Sequence, residues 1–202
     1  GVHIGGTDFD RRLSLYAAMP LLGLNHVGPS GREVPSGVFH DLSTWHLIQW
    51  LYSPQRMREA QALRTNYSDA RLHDRLVRVL DEHWGHRLAN AVETSKIGVS
   101  NTQAAHPLDV EWLEQGLSPE VLPADLQQCL DALLAQVAQC AQDCVRAAGL
   151  QDSQVDAIYL TGGSSALQPL RAVLAQVFPH TPQVEGDLFG GVAAGLVHGQ
   201  HI

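Results

Sequence analysis

The hydrophobic positions of the chain change period several times, and each change marks an element. A short apolar run at residues 2–4 reads as the end of a strand, and Gly5-Gly6-Thr7-Asp8 as a turn with Asp8 capping a helix. That helix starts near Phe9, and Leu13, Leu15, Tyr16 and Met19 carry its pattern to about Leu22. The segment GLNHVGPSGREVPSG, rich in Gly and Pro, reads as a loop, either an insertion or a mobile tip. Leu42, Trp45, Leu47, Ile48 and Leu51 predict a second helix over 40–50, broken at Ser53-Pro54, and a polar helix follows as far as a turn at Asn66. Leu72, Leu76, Val79, Leu80, Trp84, Leu88, Val92 and Ile97 then keep one helical period, with Gly85 expected to interrupt the helix without ending it.

At Leu108, Val110 and Trp112 the period drops to two. With a turn at Gln115-Gly116 and a return over 117–122, this predicts a β-hairpin spanning 108–122. Pro123-Ala124-Asp125 opens a long helix whose stripe is Leu126, Leu130, Leu133, Leu134, Val137, Ala141, Cys144 and Val145, and Gly149 is placed to end it. A strand over 156–160 meets Gly162-Gly163-Ser164-Ser165, and Leu167, Leu170, Val173, Leu174 and Val177 restore the helical period. A short strand near Val184 and a small-residue helix from about Asp187 complete the pattern.

Composition narrows the class. The chain has 202 residues, of which 45% are hydrophobic, which suits one domain or a large lobe with a smaller subdomain. No apolar run approaches the roughly 18 residues of a membrane span, so no membrane partner is expected. A net charge of -8 argues against a general nucleic-acid binder. The three cysteines have no framework spacing, which fits a reducing cytoplasm, and Cys140 and Cys144, four apart on one helix face, read as core filler rather than a redox or metal pair. His83 and His86 lack a third ligand and read as surface histidines. The chain does not begin with Met, and GVHIGGTDFD reads as the middle of a strand-turn-helix unit, so an excised piece of a longer protein is expected.

Two stretches carry candidate chemistry. Gly162 and Gly163 allow positive φ and close approach of a ligand, and Ser164 and Ser165 can cap the next helix, whose N-terminus suits phosphate; a plain tight turn before a capped helix explains the same residues. Glu93, Lys96 and Ser100 fall at spacings of three and four near one helical face, where they can hydrogen-bond a ligand or form a solvated Glu–Lys pair.

IGGTDFDRRL, AVETSKIGVS and IYLTGGSSALQPLRAVL, in that order and with the hairpin and long helix between the last two, resemble the DnaK-type chaperones, the seventy-kilodalton heat-shock proteins. The resemblance covers about residues 2–197 and is weakest over 28–69. It implies an α/β, actin-like ATPase (ribonuclease H-like) fold, here its second lobe: an inner subdomain from 1–22 and 149–202, and an outer, mainly helical subdomain from 23–148 carrying the hairpin. The first lobe, and a glycine-rich segment with an Asp that grips the β and γ phosphates, would precede Gly1. If Ile202 is the natural terminus, the parent is similar to YegD-like members, which lack the peptide-binding domain.

The resemblance also assigns residues. Glu93, Lys96 and Ser100 match positions that hold ribose and adenine, and Gly162, Gly163 and Ser164 match the turn beside the α-phosphate and ribose. Gly5 and Gly6 match a second glycine pair across the cleft. Ile97 and Ala166 depart from the family, replacing a basic residue that flanks the adenine and an arginine that stacks on it. The implied ligand is ATP or ADP, with Mg²⁺ in the full-length parent, and the implied partners are adenine nucleotide and a nucleotide-exchange factor or co-chaperone, in the cytoplasm. The chain itself is expected to be inactive, and Asp8 and Asp10 are not taken as catalytic carboxylates. A partner-binding lobe, or the lobe of a sugar or acetate kinase of the same architecture, are the alternatives.

Overall fold

Helices dominate the fold because most apolar positions recur three and four apart, and the strands are confined to two short pairs. The structure is a computed structural model that describes residues 1–186. The small-residue helix expected from Asp187 lies outside the described residues. The chain divides into two compact units, one of residues 7–129 and one of residues 1–6 with 130 onward.

The unit of residues 7–129 begins with α1 (Gly6–Leu13), continued by a wide π turn at Ser14–Ala18 and a tight 3₁₀ turn at Met19–Leu22. The helix starts at Gly6 rather than near Phe9, so Asp8 lies in the first turn, where its charge favours the helix. Residues 2–4, read as the end of a strand, pair with no described strand.

Gly23 closes the 3₁₀ turn at φ +110, where a Cβ would meet the Tyr67 ring at 2.2 Å. The loop after it is anchored rather than a free tip. Val27 and Glu33 form an antiparallel bridge, His26 Nε2 accepts from the Ser68 N–H at 3.1 Å, and a Cβ on Gly28 would meet the Asn66 carbonyl oxygen at 2.0 Å.

The single helix expected over 40–50 is two pieces, α2 (Gly37–Leu42) and a 3₁₀ helix at Trp45–Tyr52. The hydroxyls of Ser43 and Thr44 both donate to the His40 carbonyl, at 2.9 and 2.7 Å, and this local bonding competes with the helical ladder. Ser53-Pro54 then opens α3 (Pro54–Ala62), which packs on α4 (Ala70–Asp81). Asp69 caps α4 by accepting from the Arg71 N–H at 3.0 Å.

The long helix expected through Gly85 also divides. α4 ends in a Schellman motif: the Trp84 N–H reaches the Val79 carbonyl, the His83 N–H reaches Leu80, and His83 takes φ +54. α5 (Gly85–Thr102) starts at the glycine itself, where any Cβ would lie 2.5 Å from Ile48 Cγ2 and 2.7 Å from the Tyr52 hydroxyl, so the position takes glycine.

The hairpin is shorter and begins earlier than 108–122. β1 (His106–Pro107) pairs antiparallel with β2 (Glu120–Val121), and the residues between them fold into turns at Leu113 and Leu117. Leu108 and Val110 are buried as the alternation implied, and Trp112 is half-buried.

α6 (Pro123–Ala147) begins in this unit and continues into the other. It ends as expected in a Schellman motif with Gly149 at φ +72. Cys144, placed in its core stripe from the sequence, is exposed, and Cys140 is half-buried; among the described residues no cysteine forms a disulfide.

In the other unit, β3 (Ile158–Leu160) pairs parallel with β4 (Gln183–Glu185), which bears out both expected strands. Between them run a 3₁₀ turn at Gly163–Ala166 and α7 (Gln168–Val177), a right-sized crossover for a parallel pair.

Candidate functional site

α5 and α1 bring one set of candidate residues together inside the unit of residues 7–129. α5 buries Val92, Ser95, Lys96, Val99 and Ser100, while Glu93 on the preceding turn is exposed. Lys96 turns inward. Its Nζ lies 2.6 Å from Asp10 Oδ1 on α1, with only 10% and 23% of the two side chains exposed. That oxygen is buried, and Lys96 is its charged partner. Burial raises the Asp10 carboxyl above its ordinary 3.8; Lys96 opposes the shift and the nearby Glu93 charge adds to it. Ser100 is 2% exposed and its carbonyl accepts from Gln103 Nε2 at 2.7 Å.

A pocket of ≈ 220 Å³ opens beside this pair. Thr7, Asp10 and Ser14 line one side, at the spacing that puts them on one face of the helical run beginning with α1. Val92 and Glu93 of α5 line another, and Leu42 and Trp45 complete it.

The glycine turn is built in the other unit. Gly162 holds φ +81 and ψ 154, a region open in practice only to glycine, and no atom of the described residues lies within 4 Å of where its Cβ would be. The positive φ is the one the glycine pair suggested. The expected serine caps are corrected. α7 is preceded by Leu167 without a side-chain cap, and Pro169 fills its first turn. Ser165 instead donates to the Gly162 carbonyl at 2.7 Å, and Arg171 Nε donates to the Ser165 carbonyl at 2.9 Å, which pins the turn from both ends. A Cβ on Gly6 would lie 3.1 Å from Ser164 Oγ, so the two glycine-bearing segments are neighbours.

The residues singled out from sequence are thus divided. Gly5, Gly6, Gly162, Gly163 and Ser164 belong to one unit and Glu93, Lys96 and Ser100 to the other. Of the two departures, Ile97 is 47% exposed and Ala166 half-buried. Sequence reasoning passed over Asp10. The signal was present: Thr7, Asp10 and Ser14 form a polar stripe at helical spacing beside the apolar Phe9 and Leu13.

Comparison with known families gives the class of protein. A family model described as Hsp70 protein matches residues 70–196, well over half of the chain. The chain belongs to the Hsp70 family. Membership implies the actin-like ATPase fold, with which a mainly helical chain carrying small sheets is compatible. The family binds adenine nucleotides, as ATP or ADP with Mg²⁺, and co-chaperones. The match includes Glu93, Lys96, Ser100, Gly162, Gly163 and Ser164, and leaves Gly5 and Gly6 outside. No solved structure matches the chain significantly. Among the described residues no helix is long and apolar enough to cross a membrane.

Proposed function

We propose that this chain is the adenosine-side lobe of a DnaK-like chaperone ATPase domain, with its inner subdomain in 1–22 and 149–202 and its outer subdomain in 23–148. The observation that carries this is the Hsp70 match, which spans both the Glu93–Lys96–Ser100 face and the Gly162–Gly163–Ser164 turn. Glu93 and Lys96 would hold ribose hydroxyls, Ser100 the base, and the Gly162 backbone the α-phosphate side. Gly5 and Gly6 would keep the opposite wall low. The positive-φ backbone at Gly162 and the buried donor at Lys96 fit a nucleoside.

Mg²⁺ would arrive with the phosphates. Among the described residues no group of three His, Cys, Asp or Glu is placed to hold a metal, and Mg²⁺ commonly takes one or two carboxylates, waters and phosphate oxygens. The adenosine-side residues supply neither an oriented water nor a phosphate clamp. The 202-residue chain by itself should therefore release no phosphate from ATP.

The test is an NMR titration of the chain with ADP. Shifts should begin at residues 93–100 and 162–164, with affinity near the millimolar scale, about -4 kcal/mol. Gly163→Trp should abolish them. Shifts confined to other segments would overturn the reading. A lobe gripped by a nucleotide-exchange factor, of a divergent YegD-like member acting in the cytoplasm, is consistent with the same assignment.

A further inference from the structure

The pocket beside Asp10 has a chemistry that adenosine binding does not use. Its volume, ≈ 220 Å³, falls below the roughly 300 Å³ at which pockets for free small molecules begin, so it suits a group the size of one side chain. Both charges on its lining are negative, Asp10 and Glu93, and no lysine or arginine lines it. Lys96 touches Asp10 and offsets one of those charges, whereas Glu93 is exposed and makes no ion pair among the described residues. The hydroxyls of Thr7, Ser14 and Ser43 supply acceptors.

The remaining wall is Trp45. The residue is 58% exposed, and its ring packs at a steep angle to the His86 ring, 4.4 Å between centroids. A fixed, exposed indole beside an unpaired carboxylate suits a flat cation on an aliphatic stem. The indole attracts the cation through its face, the carboxylate accepts its N–H groups, and Leu42, Ala89 and Val92 cover the stem. Arginine fits better than lysine because a planar guanidinium stacks on indole and bonds a carboxylate at the same time. Trp45 also stands outside the span matched by the Hsp70 family model, so this wall is an addition to the matched region.

We infer that this pocket is a docking site for an arginine side chain presented by a partner protein. It shares Glu93 with the nucleoside slot proposed above, so Glu93→Gln reports on both sites and Trp45→Leu on the arginine site alone.

The test uses the ¹⁵N-labelled 202-residue chain and two probes, acetyl-Gly-Arg-Gly-amide and the same peptide with neutral citrulline in place of arginine. The indole N–H signal of Trp45, assigned by its loss in Trp45→Leu, should shift and saturate at millimolar arginine peptide. The citrulline peptide should bind at least fivefold more weakly. Glu93→Gln should weaken the arginine peptide at least fivefold, and Trp45→Leu, followed through the Ser43 and Thr7 amides, by a similar factor. Trp50→Leu, which removes an indole 66% exposed and outside the pocket, should leave it unchanged. Equal binding of the two peptides, indifference to Glu93→Gln, or equal losses in Trp45→Leu and Trp50→Leu would each overturn the inference. ADP shifts at 162–164 should persist in Trp45→Leu. Failure of ADP to bind any variant would sink the nucleotide reading and leave the arginine result to stand by itself.

Discussion

Residues 7–129 and the segment of β3, α7 and β4 bury their apolar residues to different depths. In residues 7–129, Leu13, Met19, Ile48, Leu76, Val79, Leu88, Val99 and Val110 are at most 1% exposed. In the other unit Leu130 and Leu134 of α6 are buried as deeply, but around β3 and α7 Leu160, Leu167, Leu170, Leu174 and Phe178 retain 4–9%. The means of fixing the chain differ as well. The larger unit fixes its corners by close approach, with Gly23 under Tyr67, Gly28 against Asn66 and Gly85 against Ile48. The other relies on two three-residue strands and a hydrogen-bonded turn. The contrast teaches that the same helical periodicity yields a dense core where many elements converge and a shallower one, among the described residues, around β3, β4 and α7.

The largest expected effect tests that contrast directly. Leu76→Ala, at a side chain with no exposure, should cost about 3–4 kcal/mol in denaturant unfolding. Leu174→Ala, at 6% exposure, should cost about 2 kcal/mol, near the low end for such truncations. Equal costs would erase the distinction between the two regions.

Gly28→Ala comes next, at about 2–3 kcal/mol, because the new Cβ meets a backbone carbonyl that cannot rotate away. Thermal unfolding of this variant against Gly31→Ala separates clash from backbone strain. Gly31 has φ +73 but open space, so its variant should lose only about 1 kcal/mol.

The Asp10–Lys96 pair ranks third. Lys96→Met strands a largely buried carboxylate and should cost about 2 kcal/mol at neutral pH, less than the roughly 3–5 kcal/mol of a fully buried pair because both side chains keep some exposure. The pH dependence has a definite sign. The folded Asp10 carboxyl binds its proton more tightly than the unfolded one, since burial raises it above 3.8. Its contribution to stability is therefore complete below about 3.8 and is lost as pH rises through the raised folded value. Unfolding free energies of the wild type relative to Asp10→Asn should fall over that window, and in Lys96→Met the fall should extend to higher pH. A flat difference would remove Asp10 from this account.

Gly162→Ala should cost about 1–2 kcal/mol of backbone strain, with no clash among the described residues. The matching gain is expected from His83→Gly, about 0.5 kcal/mol, because φ +54 suits glycine although the Tyr52 ring contact is lost. Calorimetry on the pair would show whether the two turns store comparable strain.

The elements most legible in the sequence are those whose signal is local. The α6 helix and its Gly149 end, the strand at Ile158–Leu160, and the special backbone at Gly162 follow from periodicity and from glycine in the places where positive φ is needed. The mistaken breaks have signals that periodicity does not carry. Gly85 reads as a weak helix position, yet it is required at the start of a helix, where Ile48 and Tyr52 occupy the space of its Cβ. Ser43 and Thr44 fit a helical pattern in composition but bond back to His40 instead. In the candidate site, the shared face of Glu93, Lys96 and Ser100 was visible as spacing, while their different burial was not.

By itself the sequence determined where helices run, which residues are apolar enough to form a core, and the order of motifs that places the chain in the Hsp70 family. Only the tertiary structure decided that Lys96 faces Asp10, that Glu93 is left at the rim of a pocket with Trp45, and that Gly6 lies against Ser164. The physical reason is range. Periodicity and φ preference act within a few residues, whereas burying a charge or excluding a Cβ depends on which atoms folding brings from far along the chain.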